Sequence, residues 1–133
     1  NDPYLMEEAA KLSMKPYDKE ANIIKEMLRP PYHHNSEKLQ GSVWVGDLKK
    51  MLFYVPDKTF DVIFYDPFSP KKQPELWSDE LFKEAYRSLK TGGRLTTYSC
   101  ARAVRDTMRK AGFTVKDGPR VGRRSPSTIA IKE

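Results

Sequence analysis

The sequence has 133 residues, of which 38% are hydrophobic and 32% charged, and this predicts one soluble, rather polar domain. No apolar run approaches the ~18 residues that span a membrane, and no signal peptide is visible, so we expect a cytoplasmic protein without membrane contact. The single cysteine, Cys100, excludes an internal disulfide and fits a reducing compartment.

Positive charge is concentrated in the second half of the chain. The formal net charge is +6, and residues 1–66 carry 9 Lys+Arg and 11 Asp+Glu, whereas residues 67–133 carry 15 and 7. This asymmetry favours a polyanionic partner, with nucleic acid ahead of a membrane. A solvated basic surface without a partner is the alternative.

The first 42 residues are predicted to form a helical segment and a loop. One helix begins near Asp2 and ends before Pro16, and a second spans about residues 18–29 before Pro30. The polar stretch 32–41 carries both histidines, for which we expect a surface loop. A metal site is the alternative, but neither a cysteine nor a third histidine lies nearby.

Residues 43–133 are predicted to form the core sheet with the cofactor and substrate loops. The apolar run Val62–Tyr65 predicts a strand buried on both faces. It ends in Asp66, and Pro67 then stops the strand because proline cannot donate to a ladder. A carboxylate at the carboxyl end of a central strand lies where open α/β sheets bind ligands. Asp66 is therefore the first candidate for chemistry, the alternative being an aspartate that caps a loop.

Further strand and helix patterns surround this central strand. Val43–Val45 predicts a short strand that is followed by a turn and a helix over residues 48–54. Ser78 is a good N-cap for a helix that is expected to stop at Thr91-Gly92-Gly93. A strand, a helix and two final strands complete the chain, with a basic loop between the last two. This order predicts a doubly wound α/β sheet closed by an antiparallel hairpin.

Several of these features together resemble the Rossmann-like, S-adenosylmethionine-dependent methyltransferases. They are a strand ending in Gly46-Asp47, a strand ending in Asp66-Pro67-Phe68, a Leu-Lys-Thr-Gly-Gly turn at residues 89–93, and the terminal hairpin. The resemblance implies the class I methyltransferase fold, which has a mostly parallel sheet and a C-terminal antiparallel hairpin. It also implies S-adenosylmethionine as the cofactor.

The segment 66–77 narrows the resemblance. It reads Asp-Pro-Phe-Ser-Pro-Lys-Lys-Gln-Pro-Glu-Leu-Trp and resembles the Asp-Gly/Pro-Phe-x-Pro-x-Lys-Asn-Pro-x-x-Trp signature of the MnmC-like family. That family is the methyltransferase domain of the tRNA 5-methylaminomethyl-2-thiouridine biosynthesis protein. The Ala-Gly-Phe at 111–113 and the Gly-Arg-Arg at 122–124 agree, whereas Gln73 replaces the commoner asparagine. The resemblance implies that the partner is tRNA. It also implies a possible second partner, a separate flavin-dependent oxidoreductase that acts on the same uridine.

The first part of the chain departs from this family. No Gly-x-Gly occurs before Val43, so the glycine-rich turn and the N-terminal strands of the class are missing from the pattern. We therefore expect an incomplete copy of the methyltransferase domain. A rearranged sheet is the alternative.

The resemblance also implies roles for the residues at the strand ends. Asp47 is expected to accept a hydrogen bond from the cofactor's adenine amino group, and Gly46 to let the backbone approach the ring, unless the pair is an ordinary turn. Tyr65, Asp66 and Pro67 are expected to line the cofactor cleft. Asp66 is expected to accept a hydrogen from the acceptor amine and guide its proton.

The residues expected to meet the substrate follow Asp66. Phe68 is expected either to stack on a base or to pack against Trp77, which is itself placed on the RNA-binding side. Candidate phosphate contacts, with solvated charges as the alternative, are Lys71, Lys72, Arg123 and Arg124. Cys100 is interpreted as a core residue and not a nucleophile.

The resemblance to this family implies methylation of the aminomethyl group of a modified wobble uridine in tRNA. The product of that step is 5-methylaminomethyl-2-thiouridine, made from 5-aminomethyl-2-thiouridine. Two alternatives remain at this point, namely transfer to another nucleic-acid amine and a non-catalytic RNA-binding remnant of the fold.

Overall fold

The structure is a computed structural model that describes residues 8, 11, 17–120, 122 and 124–133. It divides the chain into two compact units, Asn1–Gly46 and Asp47–Glu133. The helix predicted before Pro16 lies outside the described residues except at positions 8 and 11. No helix in the described ranges is long and apolar enough to cross a membrane.

The first unit contains helix α1 (Asp18–Met27) and an antiparallel pair of short strands, β1 (His33–Asn35) and β2 (Gln40–Ser42). The prediction of a loop around the histidines was therefore wrong, because this segment pairs with residues 40–42. The Nδ1 atom of His34 lies 3.0 Å from the Glu26 carboxylate on α1. The histidine pair is thus built into a hairpin.

The strand predicted at Val43–Val45 is absent from the structure. Val43 donates its N–H to the Tyr32 carbonyl, but no ladder continues through the next residues. Trp44 and Val45 are 61% and 43% exposed. Their β propensity is local, and a strand also needs a paired neighbour, which is not found among the described residues.

The second unit carries the larger sheet and the helices that cover one face of it. Its elements, in chain order, are α2 (Leu48–Tyr54), β3 (Phe60–Phe64), a 3-10 helix (Pro74–Trp77), α3 (Asp79–Ser88), β4 (Leu89–Thr97), α4 (Arg102–Lys110), β5 (Thr114–Asp117) and β6 (Thr128–Ile131).

The sheet has the strand order β3-β4-β6-β5. β3 and β4 are parallel, whereas β6 pairs antiparallel with both β4 and β5. The α/β class and the C-terminal hairpin are confirmed, and the described sheet is mixed. β3 forms its edge, and Val62 and Phe64 are 46% and 84% exposed. The expectation of a strand buried on both faces was therefore wrong for the described residues.

Two glycines align the parallel strands β3 and β4. α3 ends at Ser88, and the register shifts between Phe60 and Val62. Gly92 has a φ of +80°, and a Cβ on Gly93 would lie 2.8 Å from the Lys90 carbonyl oxygen. Only glycine tolerates this geometry without strain. After this shift in register, Phe64 of β3 lies opposite Thr96 of β4, so both strands end at the same edge of the sheet.

The core lies between the sheet and the helices that cover its inner face. Ser78 caps α3 as predicted, since its hydroxyl accepts the Leu81 N–H at 3.4 Å. The fully or nearly fully buried apolar side chains of this core include Leu52, Leu81, Phe82, Leu89, Leu95, Val104, Met108, Phe113 and Ala130. This core fixes the strand ends where the candidate site lies.

Candidate active site

The candidate site is the loop that follows β3, and aromatic side chains hold it in place. The indole N–H of Trp77 donates to the Phe68 carbonyl oxygen at 2.9 Å, and the Tyr65 hydroxyl donates to the Leu76 carbonyl. The hydroxyl of Tyr98, just after β4, donates to the Pro67 carbonyl at 3.2 Å. Both ends of the loop are therefore tied to the sheet and to the 3-10 helix.

Tyr65 and Trp77 belong to the support of this loop. They are 5% and 6% exposed, and their rings meet edge to face with centroids 5.4 Å apart. Burial raises the pKa of the Tyr65 hydroxyl well above its usual value, so the group stays protonated and donates. The prediction that Trp77 contacts RNA is corrected, because its ring is buried beneath the loop.

Asp66 lies at the meeting point of three cavities. Their volumes are about 670, 410 and 460 Å³, and each is bordered by Asp66. The residue is exposed, and its carboxylate makes no hydrogen bond or ion pair with any residue the structure describes. It therefore does not act as the loop cap that the sequence left open, and its oxygens are accessible to a ligand.

Phe68 presents its ring to the largest of these cavities. The side chain is 67% exposed, and the Lys72 ammonium lies 5.9 Å from the ring centroid. Packing against Trp77, the alternative that the sequence left open, is therefore not its role. An exposed aromatic ring beside a cation is the arrangement on which nucleobases stack in single-stranded RNA complexes.

The two lysines of this loop differ from several other basic residues of the second unit, which form ion pairs with acidic side chains. Lys71 and Lys72 are exposed and make no ion pair within the described ranges. In contrast, Arg87 pairs with Asp57 and Glu84, which raise its pKa, and Lys90 pairs with Asp61 at 2.8 Å. No acidic side chain in the part of the chain that the structure describes therefore neutralises the charge of the two loop lysines.

A second basic loop, between β5 and β6, opens beside the same strand ends. The Arg105 guanidinium on α4 donates to Asp117, Ser127 and Thr128 at the base of this loop, at 2.6, 3.1 and 2.9 Å. The cavity of about 460 Å³ reaches from Asp66 to Ser127.

The structure describes some but not all of the arginines in this second loop. Arg120 and Arg124 are exposed, whereas the predicted phosphate contact Arg123 lies outside the described residues. Cys100, between β4 and α4, is half-buried.

The residues expected at the adenine have local partners of their own. The Asp47 carboxylate accepts the Lys49 N–H at 2.8 Å and caps α2. A Cβ on Gly46 would lie 2.7 Å from the Trp44 indole nitrogen, so the ring of Trp44 fills that space. Gly46 ends the first unit and Asp47 begins the second. Their roles toward the cofactor stay predictions.

Comparison with known proteins identifies the family. A family model described as S-adenosyl-L-methionine-dependent methyltransferase matches residues 7–133. The chain belongs to this family. A structure of MnmC2 from Aquifex aeolicus superimposes with a TM-score of 0.78 at 27% identity, over 90% of this chain and 38% of that one. The resemblance noted in the sequence is thereby confirmed, as is the Rossmann-like fold.

Two curated relatives are similar in sequence over part of their length. The tRNA 5-methylaminomethyl-2-thiouridine biosynthesis bifunctional protein MnmC of Ralstonia nicotianae is 43% identical over 70 residues, which is 53% of this chain and 11% of that protein. The uncharacterized protein MJ0670 of Methanocaldococcus jannaschii is 33% identical over 123 residues, 88% of this chain and 34% of that protein. The chain thus spans 34% and 11% of the length of these relatives.

The cavity between α2 and β3 has the chemistry to receive the family's cofactor. Apolar side chains such as Leu48, Met51 and Ile63 line it, and Asp66 is the charged group among its described residues. A carboxylate next to apolar walls suits a ligand that carries both a sulfonium cation and an aromatic base. Asp66 and Pro67 would hold S-adenosylmethionine there.

Sequence reasoning missed two residues at this site, Tyr98 and Arg105. Tyr98 follows Thr96 by two positions, and Thr96 pairs with Phe64, two residues before Asp66. Parallel strands that end at one edge bring the residues after them together, so an alignment of the two strands would have indicated Tyr98. No local sequence pattern indicated the role of Arg105, because its hydrogen-bond partners lie 12 to 23 residues away along the chain.

Proposed function

We propose that this protein transfers a methyl group from S-adenosylmethionine to an amine of tRNA, namely the aminomethyl group of a modified wobble uridine. One observation carries the proposal. An exposed carboxylate, Asp66, an exposed aromatic ring, Phe68, and an exposed cation, Lys72, border a single cavity of about 670 Å³. The cofactor supplies an electrophilic methyl group when it is bound.

Asp66 supplies the acid–base part of the reaction. An alkylamine resembles lysine, with a pKa of about 10.4, so it is mostly protonated near neutral pH and lacks a free lone pair. An exposed carboxylate at the carboxyl end of β3 accepts a hydrogen from that amine and orients its lone pair. As the nitrogen forms the new N–C bond, the methyl–sulfur bond of the cofactor would break with its electron pair going to sulfur, which would leave as S-adenosylhomocysteine. The proton that the nitrogen loses passes to Asp66 and then to water.

Phe68 and the loop lysines bind the RNA around the amine. Stacking of a base on an exposed aromatic ring contributes about 1–3 kcal/mol, and Phe68 offers such a ring beside Asp66. Lys71, Lys72 and the basic loop between β5 and β6 add phosphate contacts. The two lysines do so without breaking an ion pair to any residue that the structure describes. The concentration of positive charge after residue 66 supports a polyanion as substrate.

The relatives named for tRNA modification, which are 43% and 39% identical over 70 and 75 residues, support tRNA over other nucleic acids. We propose that a flavin-dependent oxidoreductase acts on the same uridine in a separate step. The amine that this protein methylates must be supplied by an enzyme that leaves a primary aminomethyl group on the base.

The test is a methyl-transfer assay with labelled S-adenosylmethionine and two matched tRNAs. One carries 5-aminomethyl-2-thiouridine at the wobble position, and the other carries uridine there. We expect label only in the first tRNA, and digestion to nucleosides should give 5-methylaminomethyl-2-thiouridine. Equal label in both tRNAs would point to another nucleic-acid amine. Tight RNA binding without any label would favour the non-catalytic RNA-binding alternative.

A further inference from the structure

Tyr98 is the first residue after β4, and it lies against the loop that carries Asp66. Its hydroxyl donates to the Pro67 carbonyl oxygen at 3.2 Å. It borders two of the three cavities that Asp66 also borders, of about 670 and 460 Å³. The side chain is 37% exposed, so it belongs both to the wall of the site and to the support of its loop.

Two consecutive carbonyl groups of the loop are held by aromatic side chains that also contact each other. Tyr98 holds the Pro67 carbonyl, and the Trp77 indole holds the Phe68 carbonyl at 2.9 Å. The rings of Tyr98 and Trp77 meet edge to face, with centroids 6.2 Å apart and planes at 88°. These two peptide groups flank Phe68, so their hydrogen bonds fix its backbone and the direction of its ring.

We propose that Tyr98 is a positioning residue for methyl transfer, an inference that rests on the proposed function. Its hydroxyl fixes the peptide that joins Pro67 to Phe68, and thereby the relative placement of the Asp66 carboxylate and the Phe68 ring. A transfer reaction needs the nucleophile in line and near attack distance, and a misplacement of about 1 Å costs on the order of 100-fold in rate. Tyr98 therefore acts on kcat through Asp66 and Phe68.

The variant Tyr98→Phe removes the hydroxyl and keeps the ring against Trp77, whereas Tyr98→Leu removes both. At saturating cofactor and tRNA, we expect kcat to fall about five- to tenfold for Tyr98→Phe, because the Pro67 carbonyl loses this donor, and further for Tyr98→Leu. The melting temperature of Tyr98→Phe should stay close to wild type, and its KM for tRNA should rise by a smaller factor than kcat falls. Tyr54→Phe is the matched control, because this tyrosine is 78% exposed on α2.

A second measurement reports on the loop without requiring turnover. The amides of Lys72 and Gln73 both donate to the Ser69 carbonyl, at 2.8 and 3.0 Å, so they record the order of the loop in hydrogen exchange. We expect both to exchange faster in Tyr98→Phe than in wild type, while the amides of α4 are unchanged.

The two measurements separate the possible failures. Unchanged loop exchange with wild-type kcat in Tyr98→Phe overturns the inference, and so does a loss confined to the KM for tRNA. A parallel fall in melting temperature would reduce Tyr98 to a purely structural residue and also overturn it. If wild-type protein methylates no aminomethyl-uridine RNA, the proposed function fails, and faster loop exchange still supports the positioning of the loop by Tyr98.

Discussion

The indole N–H of Trp77 donates to the main-chain carbonyl of Phe68, nine residues earlier in the chain, at 2.9 Å. Trp77 is 6% exposed and Phe68 is 67% exposed, so a buried side chain fixes the main chain of a residue whose own ring faces solvent. The 3-10 helix that carries Trp77 therefore stabilises the loop that precedes it. This hydrogen bond joins the last residue of the motif at 66–77 to its third residue.

Replacing Trp77 by Phe should destabilise the protein by about 2–3 kcal/mol, because the Phe68 carbonyl loses its donor and the core loses volume. Chemical denaturation followed by circular dichroism measures the loss. Trp44→Phe is the control, since Trp44 is 61% exposed and should change the free energy of unfolding by less than about 0.5 kcal/mol. Equal stability of both variants would contradict the role assigned to Trp77.

Asp66→Asn should lower kcat for methyl transfer by about 100-fold or more, because the amide can no longer take a proton from the amine. Stability should be unaffected, since the Asp66 carboxylate has no partner among the described residues. Steady-state kinetics at saturating cofactor give the answer. The matched control is Asp61→Asn on the same strand, whose exposed pair with Lys90 is worth about 0–1 kcal/mol. Full turnover of Asp66→Asn would remove this residue from the mechanism.

The double variant Lys71→Gln/Lys72→Gln should weaken tRNA binding and its dependence on salt. Each lost phosphate contact flattens the slope of log affinity against log salt by about 0.7 to 0.9. Filter binding over a range of salt concentrations measures this slope. The variant Lys83→Gln/Lys110→Gln removes the same charge from exposed positions on α3 and α4 and should leave the slope nearly unchanged. A uniform change in both variants would mean that only net charge matters.

Arg105→Met should cost about 1–3 kcal/mol of stability, because its hydrogen bonds to Asp117, Ser127 and Thr128 are lost from a mostly buried side chain. It should also weaken tRNA binding, since these bonds anchor the basic loop between β5 and β6. Arg109→Met, at an exposed pair with Asp106, is the control for loss of charge on α4. Tight tRNA binding by a destabilised Arg105→Met would show that the loop needs no anchor.

Ser78→Ala should destabilise α3 by about 1 kcal/mol through loss of its N-cap, and it should change the acid titration of Glu80. The pKa of Glu80 is lowered by its own backbone N–H and by the Ser78 hydroxyl. A carboxyl with a lowered folded pKa contributes stability above its unfolded pKa, and this contribution is lost as the pH falls through the folded pKa.

Ser78→Ala should therefore raise the Glu80 pKa toward its usual 4.5 and flatten the loss of stability at acid pH. An NMR titration of the Glu80 side chain checks this. Ser78→Asp retains a capping oxygen and should keep most of the helix stability. An unchanged Glu80 pKa in Ser78→Ala would assign the shift to the backbone N–H and to the nearby charges of Lys49 and Lys83.

The sequence by itself determined the local parts of this protein. The apolar run before Asp66, the Ser78 cap and the terminal hairpin all lie where the pattern placed them, because capping, turn chemistry and periodicity act over a few residues. The motif at residues 66–77 was enough to identify the family and the loop on which the proposed chemistry depends.

Only the tertiary structure decided which of these residues face solvent and which meet across the sheet. Phe68 and Trp77 are both aromatic members of one motif, yet one is exposed and the other buried, because exposure depends on what packs against each ring. The place of Tyr98 beside Pro67 follows from the register of β3 against β4, which the glycines at 92 and 93 adjust. Pairing between distant segments carries no local signal, since it is set by the whole core.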